Sequence, residues 1–261
     1  MEDETGQMDM IQRCNILGVG VSAINMAQAL ERMDGWVRDR SPHYVCVTPA
    51  HAVMDVYRDK VLLQIYNQSG LTTPDGMAIV WLMKWYGHSH VERVYGPDLL
   101  QAVCAQSAKS GYRHYFYGAG TGVAQMLSKK LQARFPGLQV VGEESPPFRP
   151  LTPEEDIEVV ARIRNARPDF VWVGIGSPRQ EHWMSDHLLS LDVPVLVGIG
   201  AAFDFISGNK PQAPRWMQRS GLEWLFRLLS EPRRLWRRYI QYPKFVVLAV
   251  LQRVGVLKFP M

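Results

Sequence analysis

Along the first two hundred residues, short runs of β-branched and aromatic residues alternate with stretches whose apolar positions recur every three to four residues. That alternation is the pattern of βαβ units feeding a parallel sheet. It predicts strands over 12–18, 44–48, 113–117, 138–142, 169–174 and 194–199. Helices are predicted over 22–33, 50–66, 75–86, 97–109, 121–134, 153–166 and 179–190. The start at 153 is the clearest, because Thr152 is a good N-cap, Pro153 suits the first turn, and Glu154, Glu155 and Asp156 complement the positive helix end. Past the turn-rich segment Ser207 to Pro214 the strands stop. Trp224, Leu225, Leu228, Leu235, Trp236 and Tyr239 then recur at helical spacing, with Arg227, Arg234 and Arg238 on a neighbouring stripe. Pro232 splits this stretch and Pro243 ends it, leaving a third helix from about Lys244. The expected fold is α/β and Rossmann-like, a mostly parallel sheet with helices on both faces. Residues 1–209 form the α/β domain in this division, and 210–261 a basic amphipathic helical appendage.

Charge sharpens that boundary. Residues 211–261 carry ten Lys and Arg against two acids, a net +8, whereas the first 210 carry 19 basic and 23 acidic residues, a net −4. Such polarity draws phosphate or an anionic surface to one end of the molecule. Trp, Leu and Arg together suit a lipid headgroup zone, so the appendage reads as an interfacial surface. Its longest apolar run, Phe245 to Leu251, is far short of the ~20 residues that span a bilayer. The acidic start, MEDETGQMDMIQRC, lacks the basic and apolar regions of a signal peptide. Cys14, Cys46 and Cys104 lie far apart with no CxxC, which fits buried thiols in a reducing compartment.

Candidate chemistry gathers at the expected strand ends. Four carry glycine clusters: Gly18-Val-Gly20, Gly118-Ala-Gly120-Thr-Gly122, Gly174-Ile-Gly176 and Gly198-Ile-Gly200. Several such loops at one sheet edge favour a nucleotide-sized ligand, because glycine lets the backbone approach a phosphate and a helix N-terminus offers free N–H groups. A dinucleotide site also needs an acid at the end of the next strand. The first cluster lacks one, and the second has Glu143 or Glu144, which keeps an NAD-dependent oxidoreductase as the alternative. Other polar residues fall at the same edge: Thr48 after a strand, Asp75 in Thr73-Pro74-Asp75-Gly76 before an apolar helix, and Arg93 before another. Gln180 follows the Gly174 turn, and Asp204 sits among apolar residues where a carboxylate needs a partner. No Ser-His-Asp or HExxH arrangement is legible.

The segments TPDGMAIVW (73–81), RVYGPDL (93–99), PDFVWVGIGSPRQEHW (168–183) and the long run from Gly198 to Tyr239 resemble the WecG/TagA/CpsF glycosyltransferase family. The resemblance extends from about Ile16 to Tyr239. It implies transfer of a sugar, of the N-acetylmannosamine, mannosaminuronic acid or glucuronic acid type, from a UDP donor to a polyprenyl-diphosphate-linked saccharide, with inversion. Members build cell-surface polysaccharides at the cytoplasmic face of the bacterial inner membrane, as peripheral proteins. By position, Asp75 matches the family's base, Thr48 and Arg93 line its pocket, and Gln180 and Asp204 match residues near the nucleotide. The family's tail arginines fall on Arg227, Arg234 and Arg237. One departure is Thr48-Pro49-Ala50, where many members carry Thr-Pro-Asn.

The chemistry is consistent with these residues. A carboxylate at Asp75 can take the acceptor hydroxyl's proton, and the charge on departing UDP must be met by a metal or by fixed cations and N–H donors. The chain has no Asp-x-Asp. The expectation is therefore metal-independent transfer without a cofactor, with Arg227, Arg234 and Arg237 and the loops at Gly118, Gly174 and Gly176 receiving the diphosphate. The implied partners are the two substrates and an anionic membrane surface, with no nucleic acid, and there is room for a homo-oligomer. A non-enzymatic binding module that grips a membrane or nucleic acid through the basic tail is the third reading, and it leaves Asp75 and the glycine loops without a role.

Overall fold

The computed structural model describes residues 11–261, so the acidic start at residues 1–10 lies outside the described residues. The chain opens with β1 (Arg13–Ile16) and β2 (Val19–Ser22), an antiparallel hairpin separate from the main sheet. This corrects two expectations. The run 12–18 does hold a strand, but it pairs in the hairpin and not in the parallel sheet, and helix α1 (Met26–Arg38) begins only after Asn25, which forms a capping box with Gln28. The glycines of Gly18-Val-Gly20 serve the hairpin, with Gly18 at a φ of +93°, and not a phosphate loop.

Next come β3 (His43–Thr48), α2 (Ala50–Val56), α3 (Lys60–Gln68), β4 (Leu71–Pro74) and α4 (Met77–Trp85). The expected single helix 50–66 is broken because Asp59 accepts from the N–H groups of Val61 and Leu62 and caps a new helix. Strand β4 was not expected. It has four residues with the polar pair Thr72-Thr73, and its whole length is buried. The chain continues through α5 (Gly96–Ser110), β5 (Arg113–Gly118), α6 (Val123–Arg134), β6 (Gln139–Glu144) and α7 (Pro153–Ala166). As expected, Thr152 caps α7, in a capping box with Glu155. Then follow β7 (Phe170–Gly174), α8 (Arg179–Leu191), β8 (Val195–Gly198) and α9 (Ala202–Ser207).

Strands β3 to β8 form one six-stranded sheet in the order β4-β3-β8-β7-β5-β6, parallel at every pairing. The central strands are buried on both faces, which is why they read as continuous apolar runs. One core, with Trp36, Leu99, Leu127 and Phe203, lies under α1, α5, α6 and α9; the other, with Met54, Tyr66, Ile79 and Met184, lies under α2, α3, α4 and α8. All six strands end at one edge, so Thr48, Pro74, Gly118, Glu144, Gly174 and Gly198 share it.

The last fifth is helical: α10 (Arg215–Arg219), α11 (Glu223–Ser230), α12 (Pro232–Tyr239) and α13 (Tyr242–Arg253). Pro232 and Pro243 each fall in the first turn of a helix, where a missing N–H costs nothing. These helices are bound into the body. Leu235, Tyr239, Phe245 and Ala249 are buried, and Gln252 bridges to Asn15 and to the Leu17 N–H of the hairpin. No helix among the described residues is long and apolar enough to cross a membrane.

Candidate active site at the sheet edge

At the carboxyl end of β3 and β4 a cleft opens between the sheet and the C-terminal helices. The sheet side supplies Pro49, His51 and Asp75; the tail supplies Glu223, Arg227 and Tyr239. Asp75 is fixed by its neighbours on both sides. Its N–H donates to the Thr48 carbonyl at 3.4 Å, and its Oδ1 accepts from the Gly96 N–H at 3.3 Å. Although it precedes α4, it does not cap that helix, whose N-cap is Gly76 without a side-chain bond. Its carboxylate instead meets the positive end of α5.

Arg93 stands beside it. One guanidinium nitrogen lies 3.9 Å from Asp75 Oδ1 and 2.6 Å from Glu223 Oε2, and Nε donates to the Asp75 carbonyl. Glu223 also accepts from the Tyr95 hydroxyl at 2.9 Å, which in turn accepts from Gln212 Nε2 at 3.1 Å. Burial pushes the Asp75 carboxyl up to about 6; Arg93 opposes the rise and Glu223 adds to it. Burial alone would lower the Arg93 guanidinium, and Asp75 and Glu223 together outweigh it and hold Arg93 above its usual value. A carboxylate so placed is ionised at neutral pH yet basic enough to accept a proton.

Arg227, one turn along α11 from Glu223, enters the same cleft. It packs over the Phe205 ring, 5.5 Å from its centroid, and among the described residues it forms no ion pair and donates no hydrogen bond. A half-buried guanidinium without an oxygen partner is a site for an anion. His51, on the opposite wall, is held neutral. Burial, with Arg238 and Arg227 nearby, pushes its imidazole down to about 3. Its buried Nδ1 has no hydrogen-bond partner.

The remaining expected residues fall in three places. Thr48 ends β3 just before the cleft-lining Pro49 but is fully buried, and its hydroxyl donates to the Cys46 carbonyl at 2.9 Å. Gln180 is buried under β8 with Nε2 on Glu181 at 3.0 Å and a free Oε1. Asp204 accepts from Asn209 Nδ2 at 2.6 Å and lies 3.7 Å from Lys210, which bridges on to Glu231 at 2.9 Å. Asp204 thus ties the sheet edge to the tail helices. Arg234 and Arg237 do not reach the cleft. Arg234 pairs with Glu231 at 2.7 Å on the surface, and Arg237 lies against Trp236. Arg238, on the stripe read from the sequence but not carried over from the family, points inward instead and donates to the Ser177 carbonyl at 3.2 Å. The cause is helical phase, since one residue turns a side chain by about 100°.

Gly118 and Gly174 meet a packing need. A Cβ on Gly118 would fall 2.5 Å from the Gly174 backbone, and one on Gly174 would press on the Phe203 ring at 3.0 Å. Gly176, in contrast, faces open space at a φ of +87°. A second cleft of about 430 Å³ lies at the ends of β5 and β7, walled by Phe148, Arg179, Trp183 and His187. Of the two acids after the second glycine cluster, Glu144 ends β6 at this edge but is already engaged by Arg162 at 2.7 Å and by the Tyr115 hydroxyl at 3.0 Å. Among the described residues, no group of three His, Cys, Asp or Glu side chains could hold a metal ion.

An open parallel sheet with a cleft at its carboxyl edge, lined by a carboxylate and guanidinium groups, has its polar groups where such folds bind ligands. Residues 14–258 match the model of the glycosyl transferase WecG/TagA/CpsF family, and the chain belongs to that family. It is similar to proteins named N-acetylglucosaminyldiphosphoundecaprenol N-acetyl-beta-D-mannosaminyltransferase from three organisms. Identity is 32% to that of Bacillus spizizenii, over 72% of this chain and 70% of the relative. To that of Bacillus subtilis it is 28%, over 73% and 72%, and to that of Staphylococcus aureus 25%, over 86% and 87%. The protein is a glycosyltransferase of cell-surface polysaccharide synthesis, and nothing supports the oxidoreductase alternative.

Proposed function

We propose that this enzyme transfers an N-acetylmannosamine-type sugar from UDP to a saccharide carried on undecaprenyl diphosphate, with inversion at the anomeric carbon. The acceptor class follows the relatives' names, which specify an N-acetylglucosaminyl-diphosphoundecaprenol substrate. The observation that carries the reading is the pairing of a buried carboxyl, Asp75, raised to about 6, with Arg227, whose guanidinium has no oxygen partner among the described residues, in one cleft.

In this reading Asp75 takes the proton of the acceptor hydroxyl as that oxygen attacks the anomeric carbon. The bond to the UDP oxygen breaks on the opposite face, and its electron pair leaves with the diphosphate. Arg227 meets the developing charge, with Arg238 and the open Gly176 turn beside it. Arg93 does not compete for the phosphate, because Glu223 and Asp75 already hold it; it orients the base. No metal is needed to balance the charge in this scheme, so transfer persists in chelator. The basic tail brings the cleft to an anionic membrane surface on the cytoplasmic side, where the lipid acceptor lies.

A transfer assay with a panel of UDP-sugars and a lipid-diphosphate-linked N-acetylglucosamine tests the reading. Product from UDP-N-acetylmannosamine, with an inverted linkage and in the presence of chelator, is the expected result. Absence of product with every UDP-sugar would overturn it.

A further inference from the structure

Helix α4 buries Ile79, Val80, Leu82 and Met83 against the core, so its packing face is already filled. Its opposite side nevertheless carries large apolar side chains in a line. Met77, Trp81 and Trp85 are spaced by four residues and share one helix face, a stripe about 12 Å long. Trp81 is 52% exposed and Trp85 49%. Isolated exposed apolar residues are ordinary, but this stripe starts in the active-site cleft. Met77 lines that cleft beside Asp75, and so does Gly221. The Trp81 ring stands against Gly221, 2.6 Å from where a Cβ would be. Gly221 is therefore the one residue type that lets the ring close on the cleft's rim. At the far end the Arg253 guanidinium lies 5.6 Å from the Trp85 ring centroid.

The cleft's other margin is unlike this. Beyond Met77 lies a hollow lined by Arg93, Asp98, Arg215 and Arg219. Arg93 and Arg215 there are already held by Glu223 and Asp98, which leaves Arg219 to meet a phosphate, and the charged lining excludes hydrocarbon. An acceptor that joins a saccharide, a diphosphate and a long apolar chain meets all three environments around Met77.

We propose that the Met77-Trp81-Trp85 face of α4 is the track for the polyprenyl chain of the acceptor, and that Trp81 and Trp85 set the preference for a long chain. This rests on the transferase reading above. The two tryptophans offer flat apolar area with little side-chain entropy to lose, in line with the reacting centre, so the chain's binding energy also holds the saccharide against Asp75.

The test uses the full chain in detergent micelles with two acceptors that share the saccharide diphosphate, one on a long polyprenyl chain and one on a short, water-soluble alkyl chain. For Trp81→Ser/Trp85→Ser, KM for the long acceptor is expected to rise roughly tenfold, equivalent to about 1.4 kcal/mol of lost apolar contact. KM and kcat for the short acceptor stay within about twofold, the melting temperature is unchanged, and Trp81→Phe/Trp85→Phe restores most of the long-chain preference. Equal losses on both acceptors, or a long-chain preference that survives the double substitution, would overturn the track. So would loss of binding to acceptor-free anionic vesicles, which makes the stripe a bilayer anchor, or a change of oligomeric state, which makes it a subunit contact. Wild-type protein that transfers to neither acceptor sinks the transferase reading itself; wild-type transfer to both, with tryptophan variants that match it, sinks this inference alone.

Discussion

Arg93 and Glu223 form an ion pair of 2.6 Å that joins the loop before α5 to the first turn of α11, 130 residues later. Both side chains are largely buried, and the same guanidinium reaches Asp75 at 3.9 Å. The C-terminal helices thereby fix the electrostatics of a carboxylate on the sheet.

A first prediction follows for Glu223→Gln. The Glu223 charge raises the Asp75 carboxyl, and its removal also frees Arg93 for Asp75, so both effects lower the Asp75 pKa. The acid limb of the pH-rate profile is expected to move below 6, with a lower maximal rate because the base is weaker. A limb that moves upward contradicts the assignment.

Asp75→Asn addresses stability. The folded carboxyl, near 6, lies above its ordinary value of 3.8, so the folded state holds the proton more tightly and loses stability as pH rises between those values. That cost is present in full at pH 8. The amide removes it, with an expected gain of about 1–2 kcal/mol at pH 8 after allowance for Arg93 losing a partner, and none at pH 4. Thermal melts at the two pH values measure the difference, and a lower melting temperature at pH 8 contradicts it.

An acid limb near 6 is usually read as a histidine. In this cleft His51 is held near 3, so it is neutral across the working range. His51→Gln is expected to change KM or kcat without moving the limb. A limb that disappears with His51 would assign the base to the imidazole.

Among the arginines, Arg227 is expected to matter most. Arg227→Ala leaves the leaving group without its cation and should lower kcat by about a hundredfold or more, whereas Arg227→Lys keeps charge but loses the planar fork and should recover only part. Arg234→Ala and Arg237→Ala, on surface side chains, should leave kcat with a soluble acceptor within about threefold. Steady-state rates for the four variants decide it.

The sheet was legible because its central strands are dense in Val, Phe, Trp and Leu between turns, and the helix at Pro153 because its cap and acids are local signals. Strand β4 was not, since Leu71-Thr72-Thr73-Pro74 has four residues, two of them polar, and owes its place to pairing with β3. The hairpin at Gly18 was misread because glycine serves turns and phosphate loops alike. In the site, Asp75 and Arg93 stood out as polar residues at strand and helix ends. Glu223 did not, because an acid in a basic helix reads as solvated until Arg93 is brought to it from 130 residues away. Helical spacing put Arg238 on the stripe with Arg227, and the inward turn of its side chain agrees, whereas the family match put the role on Arg237, one residue and about 100° away.

In the proposed mechanism every step turns on Asp75 as the base. The most direct measurement is the single-turnover transfer rate from UDP-N-acetylmannosamine to a lipid-diphosphate-linked N-acetylglucosamine across pH 5 to 9, for wild type and Asp75→Asn. The wild-type rate is expected to climb through about pH 6 and level off, and a folded Asp75→Asn protein to be at least ~100-fold slower with no limb. An Asp75→Asn protein that turns over at the wild-type rate, or a wild-type profile flat through pH 6, would contradict it.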